Sequence, residues 1–251
     1  MATQEELYSY HSENFRAVSE GFQQTAKLLE RAVGADDARA TNALTRICAF
    51  LLSAKIEARF YKLLFEPPVP DEFRDRVNRG VNPSLIEKWH RTIEEAFRQY
   101  HGVEEDFMGS AAPASAKAQF GMHNRSLAQL EPIIELRNKI AHGQWEYALN
   151  NRGTEVNPEK TRQLAEENLL SLRLKDRLAQ VAIDAINDLV VSWRAHDRDL
   201  DKHKRVMEDL VRELETRSYE KYARNVRVRE WRSQNQRRRA VGKPPLPGPP
   251  P

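Results

Sequence analysis

The stretch that most limits how this chain can fold lies at residues 178–193. There Leu178, Val181, Ala182, Ala185, Ile186, Leu189, Val190 and Trp193 recur at i, i+3 and i+4 almost without error. That period belongs to a helix with one apolar face, which must be buried against other elements. A second apolar segment, residues 40–65, repeats Leu44, Ile47, Cys48, Leu51, Ala54, Ala58 and Tyr61 at helical spacing. Phe50, Leu52, Ile56 and Phe60 lie off that stripe, so this helix is apolar on several sides. It belongs at the centre of a bundle or in a dimer contact. It stops before Pro67-Pro68, which cannot continue it.

The other segments fit around these two. Residues 5–33 read as a polar amphipathic helix, broken at Gly34-Ala35-Asp36-Asp37. Ser84 suits the cap of a helix running to Tyr100, with Leu85, Trp89, Ile93 and Phe97 on one stripe. Residues 66–83 and the small-residue run GSAAPASAKAQFG (109–121) read as loops, the former with short helical pieces. Pro132 fits the first position of a further helix and Gly143 the residue just past its end, with Ile133, Ile134, Leu136 and Ile140 as apolar contacts. QWEYALNNRGTEV then alternates weakly around residues 150–153, as a short β-hairpin or an extended loop. Asn157-Pro158 can start another short helix.

A charged helix over residues 200–222 has only Val206, Leu210 and Leu214 as a thin seam. It docks weakly, pairs with a partner, or extends from the domain. Beyond it, ARNVRVREWRSQNQRRR is basic and KPPLPGPPP is proline-rich, a composition expected to be disordered or polyproline-like. The fold class expected is all-α, an antiparallel helical bundle with one small β excursion. The expected division is an N-terminal helical extension (1–37), a bundle (38–197), a charged C-terminal helix (198–232) and a basic, proline-rich tail (233–251).

Charge is unevenly spread. Residues 201–251 carry fourteen Lys+Arg against seven Asp+Glu, whereas the first 200 carry 26 against 30. The basic excess therefore belongs to the C-terminal segment rather than to the bundle. No apolar run approaches the roughly 18 residues a membrane span needs, so no membrane is expected. The opening MATQEELYSYHSENF is polar and acidic without a signal-peptide pattern, and Cys48 is the only cysteine. A reducing, cytoplasmic setting and no Cys-based metal site are the expectation.

The residues best equipped for chemistry lie in LRNKIAHGQW, residues 136–145. Asn138 and His142 are four apart and share a helical face, while Arg137 and His142 are about 140° apart. Arginine is long, and a phosphate between the two can be reached by both. His142 falls in the last turn, where the helix dipole favours an imidazolium. RNA cleavage needs the 2′-OH deprotonated, the phosphorane charge balanced and the leaving oxygen protonated. Histidine can perform either transfer near neutral pH. Arginine can grip the phosphate bidentately and stabilise its growing charge. Asn138 can orient the imidazole or hold a phosphate oxygen. No metal or other cofactor is required, and a two-fold dimer would supply two such pairs. By spacing alone, the same residues also describe an ordinary solvated helix end.

RNKIAHG resembles the signature of the HEPN superfamily, in which an Arg, a polar residue, a few spacers and a His end a helix. Arg137, Asn138 and His142 match that pattern position by position. SAKIEARFY, with Glu57, is similar to the first core helix of such domains, and the resemblance spans roughly residues 38–197. It implies a helical bundle that dimerises through the motif helices. In many members it implies metal-independent RNA cleavage leaving a cyclic phosphate, within toxin–antitoxin, phage-defence or RNA-processing systems. An antitoxin or defence-system partner protein would accompany such a role. Other members are non-catalytic binding or scaffold domains.

Further residues divide between function and structure. Glu57 either orients Arg137 or tunes His142, or is a plain paired carboxylate. Trp145 and Tyr147 either stack on a base or cover the end of the bundle, and Lys139 is a candidate substrate contact beside them. His90, His101, His123, His196 and His203 show no metal-ligand spacing. Trp231 amid arginines suits an RNA-contacting arm or a solvated basic tail.

Overall fold

A computed structural model of the protein describes residues 2–104, 106–150, 152–191 and 200–248. Trp193, His196, Asn151 and the junction expected at 197–198 lie outside the described residues. Nine helices are present among those described: α1 (Gln4–Gly34), α2 (Ala38–Leu64), α3 (Asp71–Val77), α4 (Leu85–His101), α5 (Ala114–Ala141), α6 (Pro158–Glu166), α7 (Leu169–Val190), α8 (Leu200–Thr216) and α9 (Tyr219–Ala240). None is long and apolar enough to cross a membrane. The architecture is all-helical, as expected.

Most helix starts follow local capping chemistry. Ser84 accepts from the Glu87 amide while the Glu87 carboxylate accepts from the Ser84 amide, a reciprocal pair that fixes the start of α4. Asn157 caps α6 through the Lys160 amide, with Pro158 at the first position. Asp37 caps α2 through the Ala40 amide after a tight α1–α2 turn in which Asp36 takes a positive φ of 56°.

Helices α2, α4, α5 and α7 pack on one another as the centre; α1 lies along α2, α8 covers α5 and α7, and α9 lies on α1. Phe60 of α2 meets Trp89 of α4 edge-on at 4.8 Å, and Phe97 contacts Phe107, Phe120 and His123 at 5.2–5.5 Å. Each fully buried ring contributes on the order of 2–3 kcal/mol from its apolar area.

The buried face of α2 is not the predicted stripe. It comprises Thr45, Cys48, Ala49, Leu52, Ser53, Ile56, Phe60, Leu63 and Leu64, and Ile47 is 36% exposed. The helix touches α1, α5 and α7 on different sides, so no single period describes its burial. On α7, by contrast, Leu178, Ala182, Ala185, Ile186, Leu189 and Val190 are all buried as predicted.

Three further expectations are corrected. The loop assigned to residues 109–121 ends at Pro113. Ala114 begins a 28-residue helix whose alanine-rich first turns have high helical propensity and bury Ala116 and Phe120. Pro132 accordingly sits inside α5 rather than at its start, leaving the Ala128 carbonyl without its helical donor. The charged helix is two helices. It breaks at residues 217–218, where Ser218 caps α9 through the Lys221 amide, and α9 continues to Ala240 through part of the expected tail.

The proline-rich end folds back on α9. Trp231 Nε1 donates to the Pro247 carbonyl (2.8 Å), the Leu246 amide to Asn235 Oδ1 (2.6 Å) and Arg238 Nε to the Pro244 carbonyl (2.7 Å). After α5, the alternating segment forms a single antiparallel bridge, Leu149 with Val156, and no extended strand among the described residues.

Candidate functional site

The motif occupies the last turn and end of α5. His142 is the first non-helical residue, with φ −88° and ψ 17°. The Gly143 amide donates to the Ile140 carbonyl (3.0 Å) and the Gln144 amide to the Lys139 carbonyl (3.0 Å). This paired closure needs a left-handed residue, which Gly143 supplies at φ 75°. The chain therefore turns sharply away just after the histidine, and His142 is exposed.

Arg137 is half-buried one turn earlier. Its guanidinium pairs with the Glu57 carboxylate, whose side chain is 28% exposed, and α2 thereby reaches across to the motif. Arg137 Nη2 also donates to Asn138 Oδ1 at 3.2 Å. The carboxylate and the amide oxygen together hold a guanidinium that retains 31% side-chain exposure. Of the sequence-derived candidates, Arg137, Asn138 and Glu57 are thus in direct contact. Asn138 spends its oxygen on Arg137 and is itself exposed.

The three flanking candidates differ in how free they are. Lys139 Nζ donates to the Leu149 carbonyl (2.6 Å), tying the bridge segment to α5. Trp145 Nε1 donates to the Ile140 carbonyl (3.1 Å), closing off another helix-end oxygen while its ring stays 38% exposed. Tyr147 is 65% exposed. Trp145 acts as an end-cover with one open face, and Lys139 as a clamp for the loop.

Two supporting residues were not singled out in the sequence. Arg46 of α2 donates to the carbonyls of Trp145 and Leu164, pinning the segment after the motif to the bundle. Burial lowers its pKa, opposed by the charges of Glu146 and Glu167. Lys160 of α6 pairs with Glu135 of α5. Neither carries a local signal, since the partners of Arg46 lie about a hundred residues away in sequence.

The arrangement offers a positioned guanidinium, an exposed imidazole and an open aromatic face at one helix end. Such groups can bind a phosphodiester and move protons beside it. Among the described residues, no group of three or more His, Cys, Asp or Glu side chains converges to hold a metal ion. Two open concavities lie elsewhere, of about 720 and 700 Å³; the first is a groove between α3 and the end of α4 lined by Arg76, Glu95 and Arg98. There Glu95 is already neutralised by Arg76 (2.5 Å) and Arg98 (3.6 Å). In comparisons with protein-family models, curated proteins and solved structures, nothing matches the chain.

Proposed function

We propose that the protein is a HEPN-type, metal-independent endoribonuclease that acts as a homodimer, with a composite site built from Arg137 and His142 of both copies. The observation that carries this reading is the pinned guanidinium of Arg137, held by Glu57 and Asn138 one turn from an exposed His142. A cation fixed before substrate arrives loses little side-chain entropy on gripping a phosphate. His142 then transfers the proton of the 2′-OH or that of the leaving oxygen, and Arg137 balances the charge of the phosphorane. Asn138 positions the guanidinium, and Glu57 fixes it from α2. The exposed faces of Trp145 and Tyr147, with Lys139 behind them, form the substrate-facing rim. In this reading the cellular role is that of a toxin or phage-defence effector in the cytoplasm, restrained by an antitoxin or defence partner.

A second reading has its own support: a non-catalytic HEPN-like module for dimerisation or for RNA or protein binding. Arg137 is already engaged by Glu57 and Asn138, as a purely structural arginine would be. The test is incubation with RNA in EDTA. The nuclease reading predicts fragments ending in a 2′,3′-cyclic phosphate, abolished by His142→Ala and by Arg137→Ala with circular dichroism unchanged. Equal cutting by the His142→Ala protein discards it, and the absence of cutting by every form favours the binding module.

A further inference from the structure

We infer that the outer face of α9 is a docking surface for the sugar–phosphate backbone of a nucleic acid, separate from the Arg137–His142 site. Residues 219–248 contain nine Lys+Arg and two Asp+Glu. Several charges of α9 that lie close to α1 are engaged. Arg227 pairs with Asp36 (3.2 Å), Arg229 pairs with Glu30, and Glu230 packs against Gly34. Four further cations are unmatched. Lys221, Arg224, Arg232 and Arg239 are exposed, and none of their side chains has an ion-pair or hydrogen-bond partner among the described residues.

At 100° per residue these four fall within a sector of about 80°, and at 1.5 Å per residue they span about 27 Å. Asn225 and Gln236, also exposed, border the same sector and supply neutral hydrogen-bonding groups. Neither acid of α9 projects into it. A face needed only for solubility would mix signs, because like charges three or four residues apart destabilise a helix. Here half-buried Glu230 lies on the opposite side, and exposed Glu220 falls about 40° outside the sector.

The stripe is also held rigid. Ala223 and Val226 are buried, Tyr222 accepts from Arg173 (2.8 Å), and the proline-rich end clamps the far half through Trp231, Asn235 and Arg238, crossing the edge of the sector at buried Asn235 between Arg232 and Arg239. Trp231 is thereby committed to the clamp and is not a stacking platform. A membrane surface fits less well, since a helix lying on lipid inserts an apolar face and the sector holds one apolar residue, half-buried Val228. The surface is remote from the motif. On α2, the residues that meet α1, namely Lys55, Arg59 and Lys62, lie roughly 150° around the axis from Glu57. Helix α9 packs on α1, beyond that side.

The test uses the full chain carrying His142→Ala, so that cutting does not interfere. Fluorescence anisotropy with labelled single-stranded RNA, single-stranded DNA and duplex RNA, titrated across salt, reads binding directly. Four phosphate contacts to a single strand imply that affinity falls about fifty-fold between 50 and 200 mM salt. In Lys221→Ala/Arg224→Ala/Arg232→Ala/Arg239→Ala the log–log salt slope should shrink by about 3, with circular dichroism unchanged. Replacing the three arginines by lysine should keep most of the binding. The three probes tell which strand form is preferred. An unchanged affinity and slope in the four-fold variant overturns the inference, as does binding to phosphatidylserine vesicles with none to any nucleic acid. Cutting that persists without α9 binding sinks this inference alone; α9 binding without cutting by the unmodified chain sinks only the nuclease reading.

Discussion

Acid should weaken this fold through His123 before most surface carboxylates titrate. His123 lies on α5, 3% exposed, beside Phe97, and its Nδ1 has no hydrogen-bond partner. Burial, reinforced by the nearby charge of His203, pushes its pKa down from 6.5 to about 3. His203 itself pairs with Asp188 at 3.1 Å. Between pH 6.5 and 3 the unfolded chain binds a proton at this site and the native chain does not. The contribution of neutral His123 is therefore complete above pH 6.5 and is lost progressively as pH falls toward 3. Linkage with those two values gives a loss of about 2 kcal/mol at pH 5 relative to pH 7.5. Urea unfolding at both pH values, on the natural chain and on His123→Leu, isolates it. Leucine keeps an apolar side chain in the pocket formed with Ile56, Trp89, Ile93 and Leu127 and removes the ionisable group. The natural chain should lose about 2 kcal/mol more than the variant on acidification. Equal losses, or a larger loss in the variant, would show that His123 is not the group through which acid acts.

Two further outcomes follow from other sites. Cys48 is fully buried and its thiol is pushed up to about 12, chiefly by burial, so the folded protein should resist a thiol-reactive chromophore and react at once in denaturant; rapid reaction in the native state would contradict that. Glu57→Gln should leave stability within about 1 kcal/mol, because the Arg137 pair is partly exposed; on the proposed nuclease reading it should also lower RNA cleavage tenfold or more by loosening the guanidinium, and undiminished cleavage by a folded variant would remove Glu57 from the proposed site.

Some helix boundaries were legible from local signals: Ser84, Asn157 before Pro158, and Gly143 after the motif all mark real ends, whereas the equally local Ser218 cap of α9 was hidden inside a continuous charged run. The stripe of α7 was legible because its core contacts fall on one face. That of α2 was not, because three neighbours share it, and only the fold decides that Leu52 and Phe60 are buried while Ile47 is exposed. Pro132 misled because a proline is read as a helix start, whereas buried Ala116 and Phe120 had already anchored the helix upstream. In the candidate site, the placing of Arg137, Asn138 and His142 at one helix end could be read from spacing, whereas the pairing of Arg137 with Glu57 depends on the packing of α2 beside α5. The ties of Arg46 to Trp145 and Leu164 join distant segments and leave no trace in local pattern. The folded-back proline segment depends likewise on Asn235 and Trp231, which composition presents as part of a basic tail.

The central claim is that two copies bring their motif ends together. Because Cys48 is buried, His142→Cys introduces the one thiol open to reagent, and a short bis-maleimide can report where its counterpart lies. Covalent dimers are expected from His142→Cys and none from a control cysteine at exposed Val81. A His142→Cys chain that stays monomeric, while the natural protein cuts RNA, would contradict a shared site.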